Sequence, residues 1–364
     1  MKEFESKFDA RLDSLVARRT PQVERVIKAS RYPTLPPSRF YQASPSYEVY
    51  QRMGEHGSAV RYAVGAMQPV DPNYTEITYG EGQRVLNQLS KFLNGELECD
   101  YEYQGSVTND THIKAYSDID LLAIIRKFVT VERPQEVTTP YEGNPNQDLG
   151  DVREKSDQQL RSGFPKADVD DSGAKSISIS GGSLQRKIDV VPANWFNTNQ
   201  YAQYGEKRFR AVQILDTRSG CRLLNMPFMH NYRIEEKDNR VGGGLRKAAR
   251  LLKSLKYDSD SVNLSSYDIV ALAYNMNDAE LITYPGLEIQ LIARTKGFLD
   301  NVAEDAGLRE SLMVPDESRT VFAKGHATQE GLDQLRDEVD DLLVAISKNL
   351  SRDFKKLAEA RVSY

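Results

Sequence analysis

Asp118 and Asp120 stand two residues apart in SDIDLLAII, and a third acidic residue, Asp189, follows in RKIDVVPA. Residues two apart in a strand project to the same face, so the first two carboxylates point together while Ile119 and Leu121 turn to the other side. Adjacent carboxylates repel unless a cation lies between them. Mg2+ suits that place, because it prefers hard oxygen ligands and is held by one or two carboxylates plus substrate phosphates. A third carboxylate brought alongside completes a site for two ions roughly 3.5–4 Å apart. Such a site supports in-line attack of a hydroxyl on the α-phosphorus of a triphosphate, with pyrophosphate leaving. Upstream, Gly105 lets the backbone approach a phosphate closely, and Ser106 can donate through its N–H and hydroxyl. An isolated Asp-x-Asp is commonplace in solvated loops. The weight lies in the combination of strand, Gly-Ser, Asp-Ile-Asp running into apolar residues, and a further Asp in an apolar strand, where an unpartnered carboxylate would be costly.

The elements that must position these residues fall into two halves. Phe4, Phe8, Leu12 and Leu15 recur at helical spacing, and EGQRVLNQLSKFLNGEL repeats that period up to a stop at Gly95. A proline-rich loop, SRYPTLPPSRFYQASPS, separates them. LECDYEYQ and DIDLLAIIRKFVTV read as strands. Residues 132–175 are polar and loop-rich around a helix in DVREKSDQQLRSGF, and AKSISIS-GGS-LQRKIDVVPANWF reads as a β-hairpin with a glycine turn. Helix dominates from Leu245 to the end. The fold class is mixed α/β (α+β): N-terminal helices and a catalytic core over 1–200, a helical lobe over 201–364, and the active site between them.

Within the helical half, Leu245–Lys256 places Arg246, Arg250 and Lys253 on one stripe, with Leu245, Ala248, Ala249, Leu252 and Leu255 toward a core. Ser265 followed by Asp268 has the form of a capping box, so a helix with a phosphate-attracting N-terminus starts there. Gly242–Gly244 lacks the P-loop pattern and reads as a flexible linker. Trp195 and Phe196 read as core, His112 as a surface or packing histidine, and Cys99 and Cys221 as small core residues.

With these residues in view, GSVTNDTHIKAYSDIDLL resembles the signature of the bacterial second-messenger nucleotidyltransferases, the CD-NTase (SMODS) family, and IDVVPA resembles its third-carboxylate strand. These are relatives of cyclic GMP-AMP synthase and oligoadenylate synthetase within the polymerase β-like superfamily. The resemblance runs from about residue 80 to about 320 and is strongest in 104–125 and 184–196. It implies a polymerase β-like nucleotidyltransferase core with a mixed sheet, an N-terminal helix and an oligoadenylate-synthetase-like C-terminal lobe. It further implies catalysis by Asp118, Asp120 and Asp189 around two Mg2+ ions, with Mn2+ as a substitute. Gln104, Gly105 and Ser106 would bind the nucleotide. Lys253, with Arg250 second, would reach the donor triphosphate, Ser266 a phosphate and Tyr267 the donor base. The reaction implied is synthesis of a cyclic di- or trinucleotide second messenger from ribonucleoside triphosphates, ATP among them, in antiphage (CBASS) signalling.

Composition sets the limits. The 364 residues carry a net charge of −5 and a pI near 5.6. An acidic chain argues against long nucleic acid as the main partner, since counterion release needs a basic surface. Two cysteines and four histidines, none at zinc-ligand spacing, argue against a structural zinc site and against the zinc-bearing DNA contact of the metazoan relative. No run of eighteen apolar residues encodes a membrane span, and the charged N-terminus lacks a signal-peptide core. The expectation is a cytoplasmic monomer with no DNA requirement, controlled by a regulatory protein or metabolite. The competing readings are a template-independent transferase acting on RNA or protein, and a catalytically silent nucleotide-binding module.

Overall fold

Among the described residues, a seven-stranded mixed sheet forms the floor on which the site is built. The computed structural model describes residues 2–19, 48–114, 118–137 and 139–362, with side chains from Lys7 to Asp353. Phe4's side chain, the proline-rich stretch 30–46 and residues 115–117 therefore lie outside the described residues. The strands are β1 (Cys99–Gln104), β2 (Ile119–Val131), β3 (Asp168–Asp170), β4 (Ile177–Ser180), β5 (Ile188–Asn197), β6 (Arg210–Asp216) and β7 (Cys221–Asn225). β2 and β5 run parallel at the centre, and the other pairings are antiparallel. One edge of β5 serves two partners: its first residues pair with β4 in the expected hairpin, and 193–197 pair with β6.

The two faces of the sheet are chemically distinct, as strand periodicity requires. Ile119, Leu121, Ala123 and Ile125 of β2, with Ile188 and Val190 of β5, form one core with Val85, Leu89, Leu149, Val152 and Leu160. Those last five come from helices α3 (Pro72–Ser90) and α4 (Pro145–Gly163), each begun by an Asx cap, Asp71 or Asn144, followed by proline. On the opposite face, Leu122, Ile124, Val191, Ala193, Trp195, Val212 and Ile214 make a smaller core.

A third core joins the chain's two ends. Helix α1 (Lys2–Arg19) buries Phe8, Leu12 and Leu15, and α2 (Ser58–Met67) buries Tyr62 and Met67, among residues from Ile234 to Ile346. Each fully buried Leu or Phe contributes about 1.5–3 kcal/mol relative to exposure. The remaining helices follow as α5 (Asn199–Tyr204), α6 (Pro227–Arg240), α7 (Gly244–Tyr257), α8 (Ser266–Asn275), α9 (Asp278–Leu281), α10 (Gln290–Glu304), α11 (Ala306–Ser311) and α12 (Gln329–Val362). The N-terminal helix thus packs with the C-terminal lobe, and the sheet continues past residue 200 through β6 and β7. These two strands and α6 carry weak sequence signals: RAVQILD does not alternate, and β7 is largely exposed.

Two expectations need correction. Gly242–Gly244 is a tight connection between α6 and α7, with φ of 68° and 88° at Gly242 and Gly243. Gly243 N–H donates to Asp238 O at 2.9 Å, and any side chain on Gly244 would meet the Leu281 carbonyl. A linker held this way is not flexible. Cys221 is exposed, because it opens the exposed strand β7, and is not a core residue, whereas Cys99, at the start of β1, is half-buried and packs against the core beneath the sheet.

Candidate active site

Strand register gathers the acidic residues. Gln104 faces Asp120 across β1–β2, Asp120 faces Asp189 across β2–β5, and Asp189 faces Ser178 across β5–β4. Ile119 and Ile188, both fully buried beneath α3 and α4, leave Asp120 and Asp189 no face but the opposite one. Asp118, two residues before Asp120, is drawn to the same group through Lys187, whose ammonium donates to Asp118 Oδ2 at 2.7 Å and Asp189 Oδ2 at 3.3 Å. Ser178 Oγ donates to the other oxygen of Asp189. Asp120 accepts no hydrogen bond from the described residues. Burial, reinforced by the charges of Asp189 and Asp118, pushes its carboxyl up to about 7. Burial also raises Asp118 despite the Lys187 contact. Among the described residues no three His, Cys, Asp or Glu side chains are already gathered as a metal-ligand group.

Gly105 follows β1 with φ of 85°, a conformation that favours glycine. A Cβ there would also strike the Asp120 carboxylate. The loop that follows is tied tightly: Asn109 Oδ1 accepts from Thr111 N and Oγ1, and Thr111 N also donates to Ser106 O. The basic stripe of α7 fastens this loop one carbonyl at a time. Arg246 Nε donates to Asn109 O at 2.8 Å, Arg250 Nη1 to Asp110 O at 2.6 Å, and Lys253 Nζ to Thr111 O at 2.9 Å. Only Lys253 also faces the cleft. It is 1% exposed, and burial, with the nearby charges of Lys256 and Arg250, lowers its pKa to about 7.

The opposite wall comes from α6 and α8. Ser265 caps α8, accepting from Asp268 N at 3.0 Å, as its spacing from Asp268 implies. Ser266 then sits at the first helical turn, its hydroxyl 3.1 Å from Tyr257 Oη. Tyr267 donates to Asp316 Oδ2 at 2.9 Å, and its ring stacks on His230 with centroids 4.8 Å apart. His230 Nδ1 is buried with no hydrogen-bond partner among the described residues. Burial lowers its pKa to about 4, although Asp316 opposes the shift.

These walls enclose a cleft of about 360 Å³ lined by Gln104, Gly105, Ser106, Asp118, Asp120, Asp189, Lys253, Ser266 and Tyr267. That volume falls in the range of small-ligand sites. Of the residues singled out in the sequence, Arg250 does not line it. Its guanidinium is buried against Met67 O and Asp110, where its fork of donors ties down the loop that lines the cleft instead of reaching into the cleft itself. Sequence reasoning missed Asn109, Thr111, Asn225, His230, Asn231 and Tyr257, which also face the cleft. The Asn-x-Thr turn at 109–111 was the one local signal available. His112 is 2% exposed beside Thr75, and Trp195 donates to Asp100, so both are packing residues as their contexts suggested.

A mixed sheet with carboxylates on neighbouring central strands, a Gly-Ser turn at their edge and a helical lobe closing the cleft defines a nucleotidyltransferase of the polymerase β-like type. No family model matches the sequence. The chain is 36% identical over 309 residues to the cyclic dinucleotide synthase CdnE of Yersinia aleksiciae, covering 84% of this chain and 81% of that one. It is 30% identical over 311 residues to the c-di-GMP synthase of Capnocytophaga granulosa, covering 78% and 87%. The solved structure of the STING-associated CdnE c-di-GMP synthase from Capnocytophaga granulosa superposes with a TM-score of 0.69 and 26% identity over 95% of this chain and 99% of that one. The protein belongs to the bacterial CD-NTase family.

Proposed function

We propose that this protein is a Mg2+-dependent synthase that joins ribonucleoside triphosphates into a cyclic di- or trinucleotide second messenger, releasing pyrophosphate, in bacterial antiphage signalling. The observation that carries this reading is the convergence of Asp118, Asp120, Asp189, Gly105, Ser106 and Lys253 on one small-molecule cleft. The relatives named as cyclic dinucleotide and c-di-GMP synthases favour a two-nucleotide ring and make GTP the first donor to assay beside ATP.

The residues fit the expected ions. Asp120 is a buried carboxylate with no described donor, repelled by two neighbours, so Asp120 itself lacks a neutralising partner. When bound at Asp118, Asp120 and Asp189, Mg2+ or Mn2+ supplies charge neutralisation for the phosphates and a lowered pKa for the attacking hydroxyl. The chain's own groups do the rest. Gly105 and Ser106 offer donors to the phosphates of the donor nucleotide, facing Lys253 and the N-terminus of α8 across the cleft. The Tyr267 ring takes the base, and Ser266 a phosphate. Asp189, oriented by Ser178, serves the acceptor hydroxyl, which bonds to the α-phosphorus as the bond to pyrophosphate breaks. A linear intermediate then re-enters with its ends exchanged for ring closure. The reading includes a monomer acting in the cytoplasm on free nucleotides, consistent with a pI near 5.6, and regulated through a partner protein.

Incubation with the four ribonucleoside triphosphates and Mg2+, followed by phosphatase, tests this. Phosphatase-resistant products support ring closure, whereas labelled RNA or protein as the sole product overturns it. The Asp118→Asn, Asp120→Asn double variant is expected to make nothing.

A further inference from the structure

Lys187 stands where a cation is expected. Its ammonium bridges Asp118 Oδ2 and Asp189 Oδ2, and its backbone carbonyl accepts from Ile119 N, which fixes the start of β5 beside the start of β2. Its side chain is 41% exposed, so it can leave the carboxylates for solvent without opening a cavity. Ser178 holds the far oxygen of Asp189 whether or not Lys187 stays. We propose that Lys187 is a positioning residue that serves as a built-in counter-ion: it holds Asp118 and Asp189 in the metal-free enzyme and competes with the divalent ion for them. Nucleotide phosphates relieve that competition by drawing the ammonium away. The proposal rests on Asp118, Asp120 and Asp189 being the ion site.

The chemistry of the side chain supports the role. An ammonium beside an incoming divalent ion is a like charge, and its hydrogen bonds occupy carboxylate lone pairs that the ion needs. Lysine is a point cation on a flexible stem with three rotatable donors, suited to exchanging a carboxylate for a phosphate. Its contacts are partly exposed ion pairs, which cost little to break, so the competition is tunable rather than absolute. Asp120, outside the reach of Lys187's hydrogen bonds, remains open to the ion. Binding of metal and binding of nucleotide are thereby coupled: neither alone completes the site, and futile occupancy by the ion is held down.

Mn2+ titration of the full chain, followed by electron paramagnetic resonance, tests this without reference to turnover. Without nucleotide, Lys187→Met is expected to bind Mn2+ about tenfold more tightly than the wild type, the scale of a few partly exposed charge contacts. With a non-hydrolysable triphosphate present, that difference is expected to shrink. Lys187→Arg, whose planar fork can hold both carboxylates, is expected to bind Mn2+ no more tightly than the wild type. Thermal melts verify that the variants fold, and Lys187→Gln substitutes if the methionine variant does not. Equal or weaker Mn2+ binding by folded Lys187→Met overturns the counter-ion role while leaving the ion site intact. Absence of Mn2+ binding in both wild type and variant overturns the ion site as well.

Discussion

Asp120 and Asp189 lie directly opposite one another in the parallel ladder of β2 and β5, both turned away from the main core. Burial, with repulsion from the facing Asp189 and from Asp118 added, gives Asp120 a fold-level cost. Its carboxyl is pushed up to about 7 from an ordinary 3.8, so the folded state holds a proton there that the unfolded chain has lost. Stability from this group is present below about pH 4 and declines as pH rises to about 7. Asp120→Asn removes that decline, which is worth on the order of a few kcal/mol. In chelator at pH 7.5 the variant is expected to melt at or above the wild type, with no advantage at pH 4, while nucleotidyl transfer is abolished. A melting point several degrees below wild type at pH 7.5 would mean that burial and repulsion do not penalise a charged Asp120.

Gly105 carries two constraints that can be separated. Gly105→Ala incurs the left-handed penalty, about 1–2 kcal/mol, and drives a methyl into Asp120. Gly220, with φ of 67° and open space around it, carries the first constraint alone. Gly220→Ala is therefore expected to lower the melting temperature modestly and keep nucleotide binding. Gly105→Ala is expected to fall further and lose binding, as read by thermal melts and calorimetric titration. Equal behaviour of the two variants would remove the Asp120 contact from the explanation.

Lys253 predicts a proton-linked affinity. Burial brings its pKa to about 7, and an anionic triphosphate beside it favours the charged form. Affinity for nucleotide is then flat below pH 7 and weakens above it, with proton uptake on binding. Titrations at pH 8 in buffers of different ionisation enthalpy measure that uptake directly. It is expected to be several tenths of a proton in the wild type and to disappear in Lys253→Met. Uptake unchanged in the variant would assign the proton elsewhere.

Much of this site was legible because strand periodicity is short-range and strict. Once Ile119, Leu121, Ile188 and Val190 are read as core, Asp120 and Asp189 can point only one way. The capping of α8 was legible for the same reason, since Ser265 and Asp268 meet within one turn. Arg250 shows where such reading stops. Its spacing from Arg246 and Lys253 marks a common stripe, yet what the stripe meets depends on how the loop at 109–111 folds back. The structure sets Arg246, Arg250 and Lys253 against three successive carbonyls, and only the last also reaches the cleft. Residues contributed by β7 and α6 were harder to see, because β7 is largely exposed and α6 starts without a side-chain cap.

His230 and Tyr267 form the remaining wall, and their stacking separates two roles of the tyrosine. The ring stacks on His230 at 4.8 Å and carries the Arg319 guanidinium 5.4 Å from its centroid, its hydroxyl is committed to Asp316, and base stacking is the role proposed for the ring. Tyr267→Phe keeps the ring and loses a hydrogen bond to a carboxylate, about 1.5–3 kcal/mol of stability, so a lower melting temperature with a nucleotide KM within about threefold is expected. Tyr267→Ala removes the platform, and base–aromatic stacking is worth about 1–3 kcal/mol, so KM is expected to rise about tenfold or more. His230→Ala leaves Tyr267 unsupported on one side and is expected to raise KM less than Tyr267→Ala does. Because burial lowers the His230 pKa to about 4, it is neutral through the working range, and the pH profile of kcat/KM is expected to show no inflection near 6.5 that His230→Ala removes. An inflection there that vanished with the histidine would mean that His230 is charged in the working enzyme, and that its contact with Tyr267 is a cation against a ring rather than a neutral stack.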